Sequence, residues 1–83
     1  MDIDEVVSAL RTERDELRVR LHLLKAEARD EFEELEKKWQ HLESRAAQVK
    51  EGAKESAEEI GAAAKTLAEE IGAAYTRIKK TLS

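Results

Sequence analysis

The chain has 83 residues, so it can hold one domain at most. Charged residues make up 41% of it and aromatics 4%, with no proline, no cysteine and three glycines. That composition excludes a disulfide scaffold and a thiolate metal site, and leaves too few turn residues for a sheet protein. The net charge is -4 and the pI about 5.2, which argues against a general nucleic-acid binder. The acidic start Met1-Asp2-Ile3-Asp4-Glu5 has no signal-peptide apolar core, and no apolar run reaches membrane-spanning length, so a cytoplasmic protein is expected.

High charge alone would suit a disordered chain, but the apolar residues recur too regularly for that. From the start they step by three and four: Ile3, Val7, Leu10, then Arg14 as a polar intruder, then Leu17, Leu21, Leu24 and Ala28. This is a heptad seam. Two steps of four lead to Phe32, and the seam resumes as Leu35, Trp39, Leu42, Ala46 and Val49. A second pair of fours runs through Ala53 to Ala57, and the stripe continues as Ile60, Ala64, Leu67, Ile71, Ala74 and Ile78. Each double four is a stutter that locally unwinds a left-handed supercoil.

The second half carries a repeat. Ala57-Glu58-Glu59-Ile60-Gly61-Ala62-Ala63 returns unchanged as Ala68-Glu69-Glu70-Ile71-Gly72-Ala73-Ala74, eleven residues later. Eleven residues are close to three helical turns, so the stripe stays nearly straight along a helix. A strand reading fails because period two is absent.

Charge placement agrees with helix. Asp2, Asp4 and Glu5 sit at the positive end of the macrodipole, and Arg77, Lys79 and Lys80 at the negative end. Glu16 with Arg20, Glu33 with Lys37, and Glu34 with Lys38 have the spacing of stabilising pairs, each worth a few tenths of a kcal/mol. That is too little to hold a lone helix, so the seam needs a partner.

The expected fold is all-α: a long amphipathic helix forming an oligomeric coiled coil over residues 1–83. It has a heptad segment at 1–50 and an Ala-rich segment of eleven-residue repeats at 51–83. A second architecture stays open. Gly52 could follow a helix end, and Ser56-Ala57-Glu58-Glu59 reads as a capping box, which would make a helical hairpin. The continuous form is favoured because the seam keeps phase across residues 49–60. It would be roughly 120 Å long.

No constellation points to catalysis. His22 and His41 lack metal-ligand spacing and read as solvated surface groups. Glu33-Glu34, Glu58-Glu59 and Glu69-Glu70 are adjacent on a helix, so their carboxylates diverge by about 100° per residue. No phosphate loop, nucleophile elbow or triad spacing is present, and no cofactor is implied. Arg14 on the seam must snorkel or meet an acid such as Glu13 or Glu16 of a neighbouring helix, and could set register or strand number. Its alternative is a wet, frayed coil end. Trp39 is read as interface filler, with a foreign-partner anchor as the alternative. The stripe Ala57, Ile60, Ala64, Leu67, Ile71, Tyr75 and Ile78 is read as packing helices closely, with a lipid or polymer surface as the alternative.

Lys50-Glu51-Gly52-Ala53-Lys54-Glu55-Ser56 and the following repeats resemble late-embryogenesis-abundant proteins. The layout of nearly the whole chain is similar to small bacterial coiled-coil stress-response proteins: an acidic start, a charged heptad helix, an Ala-rich helix and the tail Ala74-Tyr75-Thr76-Arg77-Ile78. Members of that group place a clearer Ser-Gly-Asp break between the helices, where this chain has Gly52 and Ser56. The resemblance implies no catalytic or ligand residues. The expected function is therefore a non-enzymatic, self-associating protein with a structural, scaffolding or stress-related role. The alternative is an amphipathic coat protein that binds a membrane or storage granule through residues 57–78.

Overall fold

The computed structural model describes residues 3–50 and 57–82, with side chains over 3–49 and 59–82. Helix α1 spans Ile3–Val19, α2 spans Ala26–Lys50 and α3 spans Ala57–Lys80. A single 3₁₀ turn at Leu21–Leu23 joins α1 to α2. The chain is thus all-helical over the described residues, and its longest dimension is 44 Å.

Each helix follows its local chemistry. Asp4 and Glu5 occupy the first turn of α1 and Arg18 its last, while Arg77, Lys79 and Lys80 close α3. α1 buries Val7, Leu10 and Leu17, and α2 buries Phe32, Leu35, Trp39, Leu42 and Ala46. The three- and four-residue steps keep each set on one face. α3 contacts both other helices, so it needs a wider buried face. That face is Ala64, Ala68, Ile71, Ala74, Tyr75 and Ile78.

Cross-helix contacts set the directions. Arg11 reaches Glu43 while Arg14 reaches Glu36, so α1 and α2 are antiparallel. Lys38 reaches Glu70 while Arg77 reaches Glu31, so α2 and α3 are antiparallel too. The result is an up-down-up bundle of three helices around one apolar core.

This corrects the long continuous helix in two ways. The 44 Å bundle replaces a rod of roughly 120 Å. The heptad segment also breaks at residues 20–25, where no break was expected. Arg20 N–H donates to the Leu17 carbonyl at 3.1 Å, Leu23 to Arg20 at 2.9 Å, and Leu24 to Leu21 at 3.1 Å. Leu24 is then extended, at φ -79° and ψ 143°, and is only 4% exposed. The turn contains no Gly, Pro, Asn or Asp, so local propensity does not produce it. Packing produces it: the reversal buries α1 on its own α2 and α3, with no entropy cost for recruiting a second molecule. Gly52 and the Ser56 capping box lie outside the described residues.

The expected i,i+4 pairs do not close. Glu16 binds Lys79 at 3.3 Å and Lys38 binds Glu70 at 3.8 Å instead, while Arg20, Glu33, Glu34 and Lys37 make no ion pair among the described residues. For Glu16 and Lys38, packing offers better-placed charges across the interface than along their own helix.

Candidate functional site at the bundle centre

The heptad phase of α1 puts Arg14 between Leu10 and Leu17, on the face that turns inward. Bare burial of a guanidinium would be costly, so the cation needs a fixed anion. The anion is Glu36 of α2. Arg14 Nε donates to Glu36 Oε1 and Nη2 donates to Oε2, both at 2.7 Å. This is a bidentate fork, the strongest ion-pair geometry open to these groups. The two side chains are 17% and 27% exposed, so the pair sits at the edge of the core with little solvent screening. Asp15 adds a contact to Arg14 at 3.5 Å. The partner expected from the sequence was Glu13 or Glu16 of a neighbouring helix. Those residues instead hold Lys79 of α3, at 3.4 and 3.3 Å.

Trp39 lies one turn beyond Glu36 and is 2% exposed. The Arg14 guanidinium carbon is 5.7 Å from its ring centroid and that of Arg11 is 5.8 Å away. Two cations over one indole contribute a modest cation–π attraction and hold both arginines against the ring. Trp39 therefore fills the intramolecular interface.

Tyr75 of α3 completes the centre. It is fully buried, and its ring centroid lies 6.2 Å from that of Phe32, tilted by 33°. Its hydroxyl is buried without a hydrogen-bond partner among the described residues. Burial, then the nearby Glu36 carboxylate, pushes the phenol well above its ordinary pKa. Tyr75 thus stays a neutral phenol and is a poor base or nucleophile. Arg14 is raised as well, first by its hydrogen bond to Glu36 and against burial, so it stays charged. The assembly ties α1, α2 and α3 together at one level. Its chemistry is that of a register lock, since the Glu36 carboxylate is already occupied by the Arg14 guanidinium.

The sequence-derived seam residues divide plainly. Val7, Leu10, Leu17, Leu24, Phe32, Leu35, Trp39, Leu42, Ile71 and Ile78 are buried. Ile3, Leu21, Ala28, Val49, Ile60 and Leu67 are half-buried. The buried ones pack against each other within one chain. Tyr75, a member of the expected C-terminal stripe, is buried, and so is Ala68, which was absent from the expected seam. The spacing 64-68-71-75-78 carried the signal, but the stripe through Leu67 masked it.

Elsewhere, an open groove of about 490 Å³ runs between α2 and α3, bordered by Lys37, Lys38, His41, Arg45, Leu67 and Glu70. His22 and His41 are exposed. Among the described residues no cluster of three or more His, Asp or Glu is placed to hold a metal ion. No helix among them is long and apolar enough to cross a membrane. Comparison with known proteins adds no relative: no family profile, curated protein or solved structure matches the chain.

Proposed function

We propose that the chain is a non-enzymatic structural protein that acts by helix-to-helix packing and self-associates by exchanging helices between copies. A scaffolding or stress-related role, as the layout resemblance suggests, would use that exchange to assemble and release.

The carrying observation is the α1–α2 turn. Leu17, Leu21, Leu24 and Ala28 stay in heptad phase through it, and every residue from 20 to 25 tolerates a helix. If the turn became helical, α1 and α2 would form one helix over residues 3–50. The α1 face could then no longer reach its own α2 and α3, and would take those of a second copy. The core contacts would be the same in both forms. They would differ mainly in turn conformation and association entropy, the condition under which element exchange is cheap. The carboxylates and histidines of the described surface remain dispersed, which favours packing over chemistry as the mode of action.

Light scattering over a concentration series, with helicity followed in parallel, tests this. A rise from one to two chains at constant helicity is expected. Leu23 is 61% exposed, so Leu23→Gly removes little packing while penalising the straight helix by about 1 kcal/mol. It should shift the population toward single chains. Single chains at every concentration for the parent protein would refute helix exchange.

A further inference from the structure

Among the described residues the large hydrophobic side chains left exposed are Val19, at 75%, and Leu23, at 61%. They occupy the same corner, on either side of the Arg20–Leu21 step. That corner is also basic in a chain that is acidic as a whole. Residues 18–29 carry Arg18, Arg20, Lys25 and Arg29 against the single acid Glu27, a net +3 in a chain whose remainder is net -7. Arg18, Arg20 and Lys25 are exposed and make no ion pair among the described residues. Arg29 donates to the Leu24 carbonyl at 3.1 Å and stays exposed. Arg18, His22 and Arg29 surround a shallow open depression of about 440 Å³ floored by Leu21. Asp15 borders the corner beside Arg18 and Val19, and is engaged by Arg14 at 3.5 Å.

We propose that this corner docks the closed bundle, end-on, onto an anionic lipid bilayer. Free cations meet the headgroup phosphates and carboxylates, the depression seats one headgroup, and Val19 and Leu23 enter the boundary between headgroups and acyl chains. Charge complementarity selects the occupant, because basic groups near an anionic leaflet each add attraction that salt screens. Val19 and Leu23 stand exposed beside these cations on the turn that closes one end of the bundle. The stripe at residues 57–78 is unavailable for this task in the closed bundle, since Ala64, Ile71, Tyr75 and Ile78 are buried. The proposal rests on the closed bundle, because helix exchange would straighten the turn that carries Val19, Arg20, Leu23 and Lys25.

The test is co-sedimentation of the full chain with vesicles of phosphatidylcholine, with and without phosphatidylserine. Binding to the anionic vesicles should exceed binding to the neutral ones by about tenfold or more and should weaken as salt rises. Arg20→Glu with Lys25→Glu should abolish it, and Val19→Ser with Leu23→Ser should weaken it several-fold. Lys65→Glu, the same kind of charge reversal near the other end of α3, should leave it intact. Circular dichroism checks that each variant folds, and Arg20→Gln replaces the double reversal if that variant loses helix. Equal retention on neutral vesicles would overturn the proposal, as would binding indifferent to the Arg20 and Lys25 changes. Preferential capture by polyglutamate over anionic vesicles would overturn it in favour of an acidic protein partner.

Discussion

Arg14 and Glu36 meet through two hydrogen bonds of 2.7 Å across the α1–α2 interface, 22 residues apart in the chain. The pair fixes the axial register of the two helices, because a slip of one turn would carry the guanidinium about 5.4 Å away from its acid. Truncating one partner strands the other. Glu36→Ala or Arg14→Ala should each cost about 2 kcal/mol in urea denaturation. Replacing both, as Arg14→Met with Glu36→Leu, should recover much of that loss. A double variant that loses the sum of the two single costs would show that the two residues are not coupled.

Tyr75 is the only tyrosine, so its behaviour at high pH can be read directly. Its folded-state pKa lies above the ordinary value of 10.0, so the neutral phenol is favoured in the folded state. The associated stability is fully present below about pH 10 and is lost as pH rises toward the folded value. Stability measured from pH 9 upward, at roughly half-unit steps, should therefore fall more steeply in the parent than in Tyr75→Phe. At neutral pH the same substitution should be neutral or slightly stabilising, because the buried hydroxyl has no partner to lose. Parallel pH curves would mean that Tyr75 is reached by water.

The two described glycines should respond differently to alanine. An added Cβ at Gly61 meets nothing within 4 Å among the described residues, whereas at Gly72 it meets Leu10 Cδ2 at 3.4 Å. Gly61→Ala should stabilise by up to about 1 kcal/mol, the helix-propensity difference. Gly72→Ala should gain less, since Leu10 of α1 has to accommodate the methyl. Thermal melts of the two variants side by side decide this, and an equal gain would show that α1 does not pack closely on Gly72.

Core truncations should rank by burial. Leu42 is fully buried and Leu35 is 5% exposed, so Leu42→Ala and Leu35→Ala should each cost roughly 2–5 kcal/mol. Leu21 is only half-buried at the turn, and Leu21→Ala should cost distinctly less. Glu34 is exposed with no ion pair among the described residues, so Glu34→Ala should leave the denaturation midpoint almost unmoved. Had α1 and α2 been one straight helix, Leu21 would have ranked with Leu35, which makes the difference between them a measure of the turn.

What the sequence determined by itself was the helix and its phase. Val7, Leu10, Leu17, Phe32, Leu35, Trp39 and Leu42 face inward because three- and four-residue steps keep one face of a helix apolar, whatever that face meets. Arg14 was recognisable as a misfit on that face, and its need for an acid followed from the cost of burying a bare cation. Tertiary structure decided what the face meets. A heptad stripe satisfies a second copy or another stretch of its own chain equally well, so residues 20–25 could be read as helix although the structure turns there. That turn brought Glu36 to Arg14, left Glu13 and Glu16 for Lys79, and set α3 between two neighbours so that Ala68 and Tyr75 were buried along with Ile71. Periodicity is a local property carried by each segment. The choice of partner is a balance of contact, turn strain and association entropy, and it exists only once the whole chain is assembled.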